Sequence, residues 1–173
     1  TKKIEWRYKK GKPDVFDSKV IFGDSTIELN KLTQRSDEED IKFSLLFTSP
    51  PYCDVTDYHA DQWLRLWLLG GTEKPQIIKE ENKGRFVNKE AYTSLLDDVF
   101  GSCAKLMSDK STIYVRTDKR KFTFETTLAI LKKHFPKHTI TVTDQPFKKR
   151  TQTHLHGNSS SEKGEVDIIC VSD

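Results

Sequence analysis

Ile41-Lys42-Phe43-Ser44-Leu45-Leu46-Phe47-Thr48-Ser49-Pro50-Pro51-Tyr52 begins in alternation, turns continuously apolar and stops at two prolines. A short run that loses its polar face reads as a strand buried on both sides, as in the centre of a parallel sheet. Pro50 and Pro51 cannot donate to a ladder and exclude a helix just there, so the chain must leave the strand in an extended or turned form.

Working outward, Lys19 to Phe22 is a short apolar run that ends at Gly23-Asp24 and reads as a buried strand entering a turn. A brief helix is expected over Ile27 to Leu32, then an acidic loop from Ser36 to Asp40. Downstream, Asp61 to Leu69 carries Trp63, Leu64, Leu66, Trp67 and Leu68 and meets Gly70-Gly71, the pattern of a short helix with a glycine stop. Trp63 and Trp67 lie one helical turn apart, which favours the core or an interface over a base-stacking platform. Thr72 to Val87 is polar and shows no period. Asn88 to Met107 places Tyr92, Leu95, Leu96, Val99, Cys103 and Leu106 at helical spacing behind an Asn N-cap.

Ser111 to Val115 follows as a strand, Phe122 to Phe135 as a helix stopped by Pro136, and Thr139 to Val142 and Val166 to Val171 as two strands able to pair antiparallel. The basic, Ser- and Gly-containing stretch Gln145 to Gly164 joins those two strands. The alternation predicts an α/β fold with a mostly parallel sheet and one reversed strand near its end.

A chain of 173 residues is enough for one core, so residues 1–173 are expected to form one domain. No apolar stretch is long enough to span a bilayer and the first residues lack a secretory apolar segment, so the reading is a soluble, cytoplasmic protein of prokaryotic type, with no membrane partner. Cys53, Cys103 and Cys170 are odd in number and widely spaced, which fits reduced thiols rather than a disulfide framework or a zinc site. Because the chain starts with Thr, it is read as a processed product, a tag-cleaved product or a fragment. The net charge is only +3, but basic residues gather near the N-terminus, at Arg116 to Lys121 and at Lys148 to Arg150, a distribution suited to phosphate contacts.

The turn itself has a chemical logic. An exocyclic amine on a nucleobase is a poor nucleophile because its lone pair is delocalised into the ring. Acceptors for both N–H groups draw the nitrogen toward tetrahedral geometry and localise that pair. The Pro50 carbonyl, held outside a ladder by Pro51, and the Ser49 hydroxyl can supply two acceptors, while Tyr52 can stack on an extruded base.

In Thr48-Ser49-Pro50-Pro51-Tyr52 the sequence resembles the DNA amino-methyltransferases, whose fourth motif is Asp, Asn or Ser followed by Pro-Pro and an aromatic residue. The stretch Asp61 to Gly71 is also similar to the segment downstream of that motif in some members. The resemblance implies S-adenosylmethionine as cofactor, double-stranded DNA as partner and a role in restriction-modification. It ranks cytosine N4 ahead of adenine N6 as target. Ser49, Pro50, Pro51 and Tyr52 would be catalytic. Phe22, Asp24 and Thr48 would meet the cofactor, Asp24 through its third-motif position. Arg116-Thr117-Asp118 would fall near the sixth motif, and Lys148, Lys149, Arg150, Thr153 and His154 would meet DNA from the eighth. No metal site is expected, because the two histidines at 154 and 156 lack ligand spacing. Serine is a poor base at neutral pH, so the proton would leave after methylation, to solvent or to Asp54 or Asp57.

The family's glycine-rich cofactor turn is absent: the eight glycines are scattered and none follows an Asp-Pro in a Phe/Ala-x-Gly-x-Gly pattern. The resemblance thus implies a partial Rossmann-like S-adenosylmethionine methyltransferase fold, from third to eighth motif, lacking its first strands. A second polypeptide or chain segment would carry the missing turn and cover an exposed sheet edge. The competing reading is a non-catalytic DNA-binding or specificity subunit in which the prolines survive only as a turn.

Overall fold

The computed structural model describes residues 19–54, 58–74, 84–144 and 164–172. In chain order they form α1 (Ser25–Glu39), β1 (Phe43–Thr48), α2 (Tyr58–Leu68), α3 (Lys89–Leu106), β2 (Met107–Asp118), α4 (Lys121–His134), β3 (His138–Asp144) and β4 (Glu165–Ser172). None of the described helices is long and apolar enough to cross a membrane.

The α/β alternation holds, and the described strands make one four-stranded sheet in the order β1-β2-β4-β3. The mostly parallel expectation needs correction. β1 pairs parallel with β2, but β4 is antiparallel to both β2 and β3. The last strand is inserted between its neighbours instead of closing the edge, so reversing one strand converts two of the three ladders. β3 and β4 do pair antiparallel, as their sequence spacing suggested.

The core lies between one sheet face and the helices α3 and α4. Ile113 and Val115 of β2 and Ile168 and Cys170 of β4 point into it, against Tyr92, Leu96 and Phe100 of α3 and Ile130 and Leu131 of α4. Fully burying side chains of this size is worth about 2–3 kcal/mol each. α3 begins as expected: the Asn88 side chain accepts from the Ala91 N–H at 2.8 Å. Gly101 allows α3 to approach α4, since a Cβ there would meet the His134 ring at 3.0 Å. The two helices are joined further by Asp97, whose carboxylate takes Lys133 Nζ at 2.7 Å and His134 Nε2 at 2.8 Å. The opposite sheet face is more open, with Leu45 59% and Phe47 72% exposed.

Two further expectations fail. Lys19 to Phe22 is not a buried strand: these residues have no regular structure, and Val20 and Phe22 are fully exposed. Apolar composition alone does not make a strand, and no described strand pairs with this run. Second, α1 runs through the expected acidic loop, from an Asp24 cap to Asp40 in the left-handed region at φ 51°. The last turn holds no basic residue to complement the helix dipole, so the sequence read as loop. Of the two places expected for the apolar residues of α2, the core or an interface, the core is not the one observed. Trp63 and Trp67 stack on one another at 6.3 Å between ring centroids, yet Trp67 is 44% exposed and Leu64, Leu66 and Leu68 are exposed too.

Candidate functional site

β1 ends at Thr48, and the proline turn leaves the carboxyl end of the sheet beside a cavity of about 530 Å³. Its floor is apolar, from Leu46 of β1 and Leu95, Leu96, Val99 and Phe100 of α3. Its rim is polar and includes Asp24, Thr48, Ser49 and Arg85. A cavity of this size is in the range of small-molecule sites.

The turn is alternately free and pinned. Among the described residues, neither the Ser49 hydroxyl nor the Pro50 carbonyl makes a hydrogen bond. Immediately after them the chain is held at each of four successive residues. Tyr92 of α3 donates its hydroxyl to the Pro51 carbonyl at 2.9 Å. Tyr52 donates its hydroxyl to the Glu165 carboxylate at 3.0 Å. Arg120 donates Nη2 to the Cys53 carbonyl at 2.6 Å, and Asp54 donates its N–H to the Phe86 carbonyl at 2.7 Å. Arg120 is in turn held by Asp118, which accepts from its backbone N–H at 3.0 Å and from its Nε. Asp118 is 1% exposed, so its charge is stabilised by this one guanidinium and the adjacent amide. Asp54 completes the turn in the left-handed region, at φ 55°, a conformation Asp tolerates.

Asp24 is engaged more fully than its third-motif position implied. One carboxylate oxygen accepts from the Thr26 N–H at 2.9 Å and the Thr26 hydroxyl at 2.6 Å, capping α1. The other takes Arg85 Nη1 at 2.5 Å. The Thr26 hydroxyl bond, acting against partial desolvation, and then Arg85 hold the Asp24 carboxyl down to about 2. The pair ties the start of α1 to the segment that leads into α3.

On the more open sheet face, Phe47 stacks on Tyr114 with centroids 4.9 Å apart. Arg116 makes a two-pronged pair with Asp167, Nε to Oδ1 at 2.7 Å and Nη2 to Oδ2 at 3.0 Å, and also donates to the Tyr114 hydroxyl. The Arg116 bond keeps the Asp167 carboxyl below its ordinary range.

Of the residues expected to meet a cofactor, Asp24 and Thr48 line the cavity rim and Phe22 does not. Ser49, Pro50 and Pro51 line it, and Tyr52 turns toward β4. Asp54 is exposed beside the turn. Lys148, Lys149, Arg150, Thr153, His154 and Asp57 lie outside the described residues, as does the N-terminal basic cluster. Sequence reasoning missed Arg85, Tyr92, Arg120 and Glu165. Each reaches the site from a distant part of the chain, and no local pattern marks any of them as a site residue. The three cysteines are buried and free.

No protein-family model matches the chain, and no curated protein matches it. Among solved structures, the chain is similar to SMU.776 complexed with SAH, a protein provisionally assigned as a methyltransferase, at 14% identity and a TM-score of 0.40. The match covers 82% of this chain, which spans only 30% of that one.

Proposed function

We propose that the chain is the target-amine-binding part of an S-adenosylmethionine-dependent DNA methyltransferase, acting on the exocyclic amine of a flipped base, with cytosine N4 ranked ahead of adenine N6. The observation that carries the reading is the division of labour in the turn: Ser49 Oγ and Pro50 O are unengaged while the backbone on their carboxyl side is pinned by Tyr92 and Arg120. Two acceptors held in place before the substrate arrives are what a delocalised amine needs, because no reorganisation is required as its lone pair localises.

S-adenosylmethionine would supply an electrophilic methyl group. Its fit to this chain is partial: the apolar floor and Thr48 can enclose one side of it, but Asp24 already spends both oxygens on Thr26 and Arg85, and no glycine turn is present for the methionine end. A second polypeptide or segment carrying that turn completes the reading. The unmatched side of β1 supports it: among the described residues β1 pairs only with β2, and Leu45 and Phe47 beside that edge are exposed.

In the proposed reaction the Ser49 hydroxyl and the Pro50 carbonyl accept the two amine N–H groups, and Tyr52 stacks on the base. The alkylated nitrogen loses its proton to water or to the exposed Asp54 carboxylate. Lys148, Lys149, Arg150, Thr153 and His154 are proposed to contact DNA. The test is transfer of labelled methyl groups to DNA by the complete assembly: Ser49→Ala should reduce incorporation by about a hundredfold, the scale of losing one preorganised acceptor. Wild-type incorporation would refute the assignment, and digestion of the product to nucleosides identifies the base.

A further inference from the structure

We propose that Glu165 is a positioning residue for Tyr52, fixing the ring against which the extruded base lies. The inference rests on the reading of Ser49 to Tyr52 given above. Tyr52 has two rotatable side-chain bonds, and an unrestrained ring at the end of a turn would sweep several rotamers. Here the backbone on both sides is fixed, by the Tyr92 hydroxyl on Pro51 and by the Arg120 guanidinium on Cys53. The far end of the ring is fixed as well, through the 3.0 Å bond from the phenol to Glu165.

Glu165 is suited to anchor something else because its own backbone is held by the sheet. It is the first residue of β4, opposite Asp118 of β2, and the carbonyl of the preceding Gly164 accepts from the Lys119 N–H at 3.0 Å. The anchor therefore stands on a central strand rather than on a loop, where it can hold a side chain to the tolerance catalysis demands. A bond from phenol to carboxylate is also stronger than one between neutral partners.

This bond has a chemical consequence. A tyrosine hydroxyl has a single proton, and Tyr52 donates it in the hydrogen bond that Glu165 accepts. Toward the base, the Tyr52 hydroxyl then has no donor left to offer. Stacking does not distinguish base edges, so discrimination between amines falls on Ser49 and Pro50, and the tyrosine sets only the plane in which the amine is presented.

The test compares Tyr52→Phe, Glu165→Ala, Glu165→Gln and the double variant Tyr52→Phe/Glu165→Ala in the complete assembly. Each of the first two should lower kcat by about tenfold, the scale of one charge-assisted hydrogen bond, while the KM for S-adenosylmethionine stays as in the wild type. The double variant should fall no further than either single one, since both remove the same contact. Glu165→Gln keeps an acceptor oxygen and should recover most of the loss. Additive losses in the double variant, a Gln variant as poor as the Ala variant, or full kcat in Glu165→Ala would each overturn the proposal. Ser49→Ala, measured alongside, separates the two readings. Lost activity there with additive Tyr52 and Glu165 effects overturns the positioning role alone, whereas wild-type activity there overturns the amine clamp itself.

Discussion

The guanidinium of Arg120 lies 2.6 Å from the carbonyl of Cys53, joining two residues 67 positions apart and fixing the far side of the proline turn. Because Arg120 also satisfies the buried Asp118, removing it does two things at once: it frees the turn and strands a carboxylate that is 1% exposed. Arg120→Ala should destabilise the chain by about 2–4 kcal/mol in urea unfolding, most of it from the orphaned charge. Arg120→Ala/Asp118→Ala should recover part of that loss. Equal stability of the single and double variants would contradict this account.

Tyr92→Phe is the gentlest way to loosen the same turn. The ring remains in the core at 0% exposure, and the bond to the Pro51 carbonyl is lost. The expected cost is about 1 kcal/mol, seen as a lower melting temperature. Methyl transfer should fall by more than that stability loss explains when assayed well below the melting range.

The Asp24 carboxyl predicts a pH dependence with a definite sign. Its folded value of about 2 lies below the ordinary 3.8, so its contribution is complete above about pH 4 and disappears as pH falls toward 2. Asp24→Asn keeps an N-cap but loses the charge that Arg85 pairs with. The variant should be about 1–2 kcal/mol less stable than the parent at pH 7, and the two should converge near pH 2. A gap that is unchanged between pH 7 and pH 2 would show that ionisation of the Asp24 carboxyl, held by Thr26 and Arg85, contributes nothing.

Burial pushes the Cys103 and Cys170 thiols up to about 11, and raises that of Cys53 as well. At pH 8 all three should therefore be protonated and covered, and should react with a disulfide reagent far more slowly in the native chain than in urea. Prompt labelling of Cys103, which lines the cavity, would mean that the floor of the site opens to solvent.

The parts of this fold that could be read from the sequence are those specified by neighbours in the chain. α3 announces itself through Asn88 and the spacing of Tyr92, Leu95, Leu96 and Val99, and its observed start at Lys89 follows that signal. β1 was legible as a strand because its apolar run meets two prolines, but the doubly buried, central position read from that run is not observed: among the described residues β1 is an edge strand, with Leu45 and Phe47 exposed. β2 was read only over Ser111 to Val115, yet it spans Met107–Asp118. Its polar end is tolerated in the sheet because Arg116 is answered by Asp167 on the adjacent strand. That partner lies 51 residues away, beyond any local pattern. The supports of the proline turn were invisible for the same reason: Tyr92, Arg120 and Glu165 meet it across 41, 67 and 113 residues. The proposed acceptors, Ser49 and Pro50, are neighbours in the sequence. Which groups hold them still is a matter of long-range packing.

The open side of β1 also has a consequence for how such a chain must be produced. Among the described residues that strand has apolar flanks and amide groups with no strand partner on one side, which makes it a template for any extended segment that reaches it, including another copy of itself. Synthesised in excess, the chain should build oligomers edge to edge and precipitate, and a charged substitution such as Phe47→Lys should raise its solubility when it is expressed alone. If a second polypeptide occupies that edge, as proposed, its supply would have to match that of this chain, making stoichiometry a condition of keeping the chain in solution.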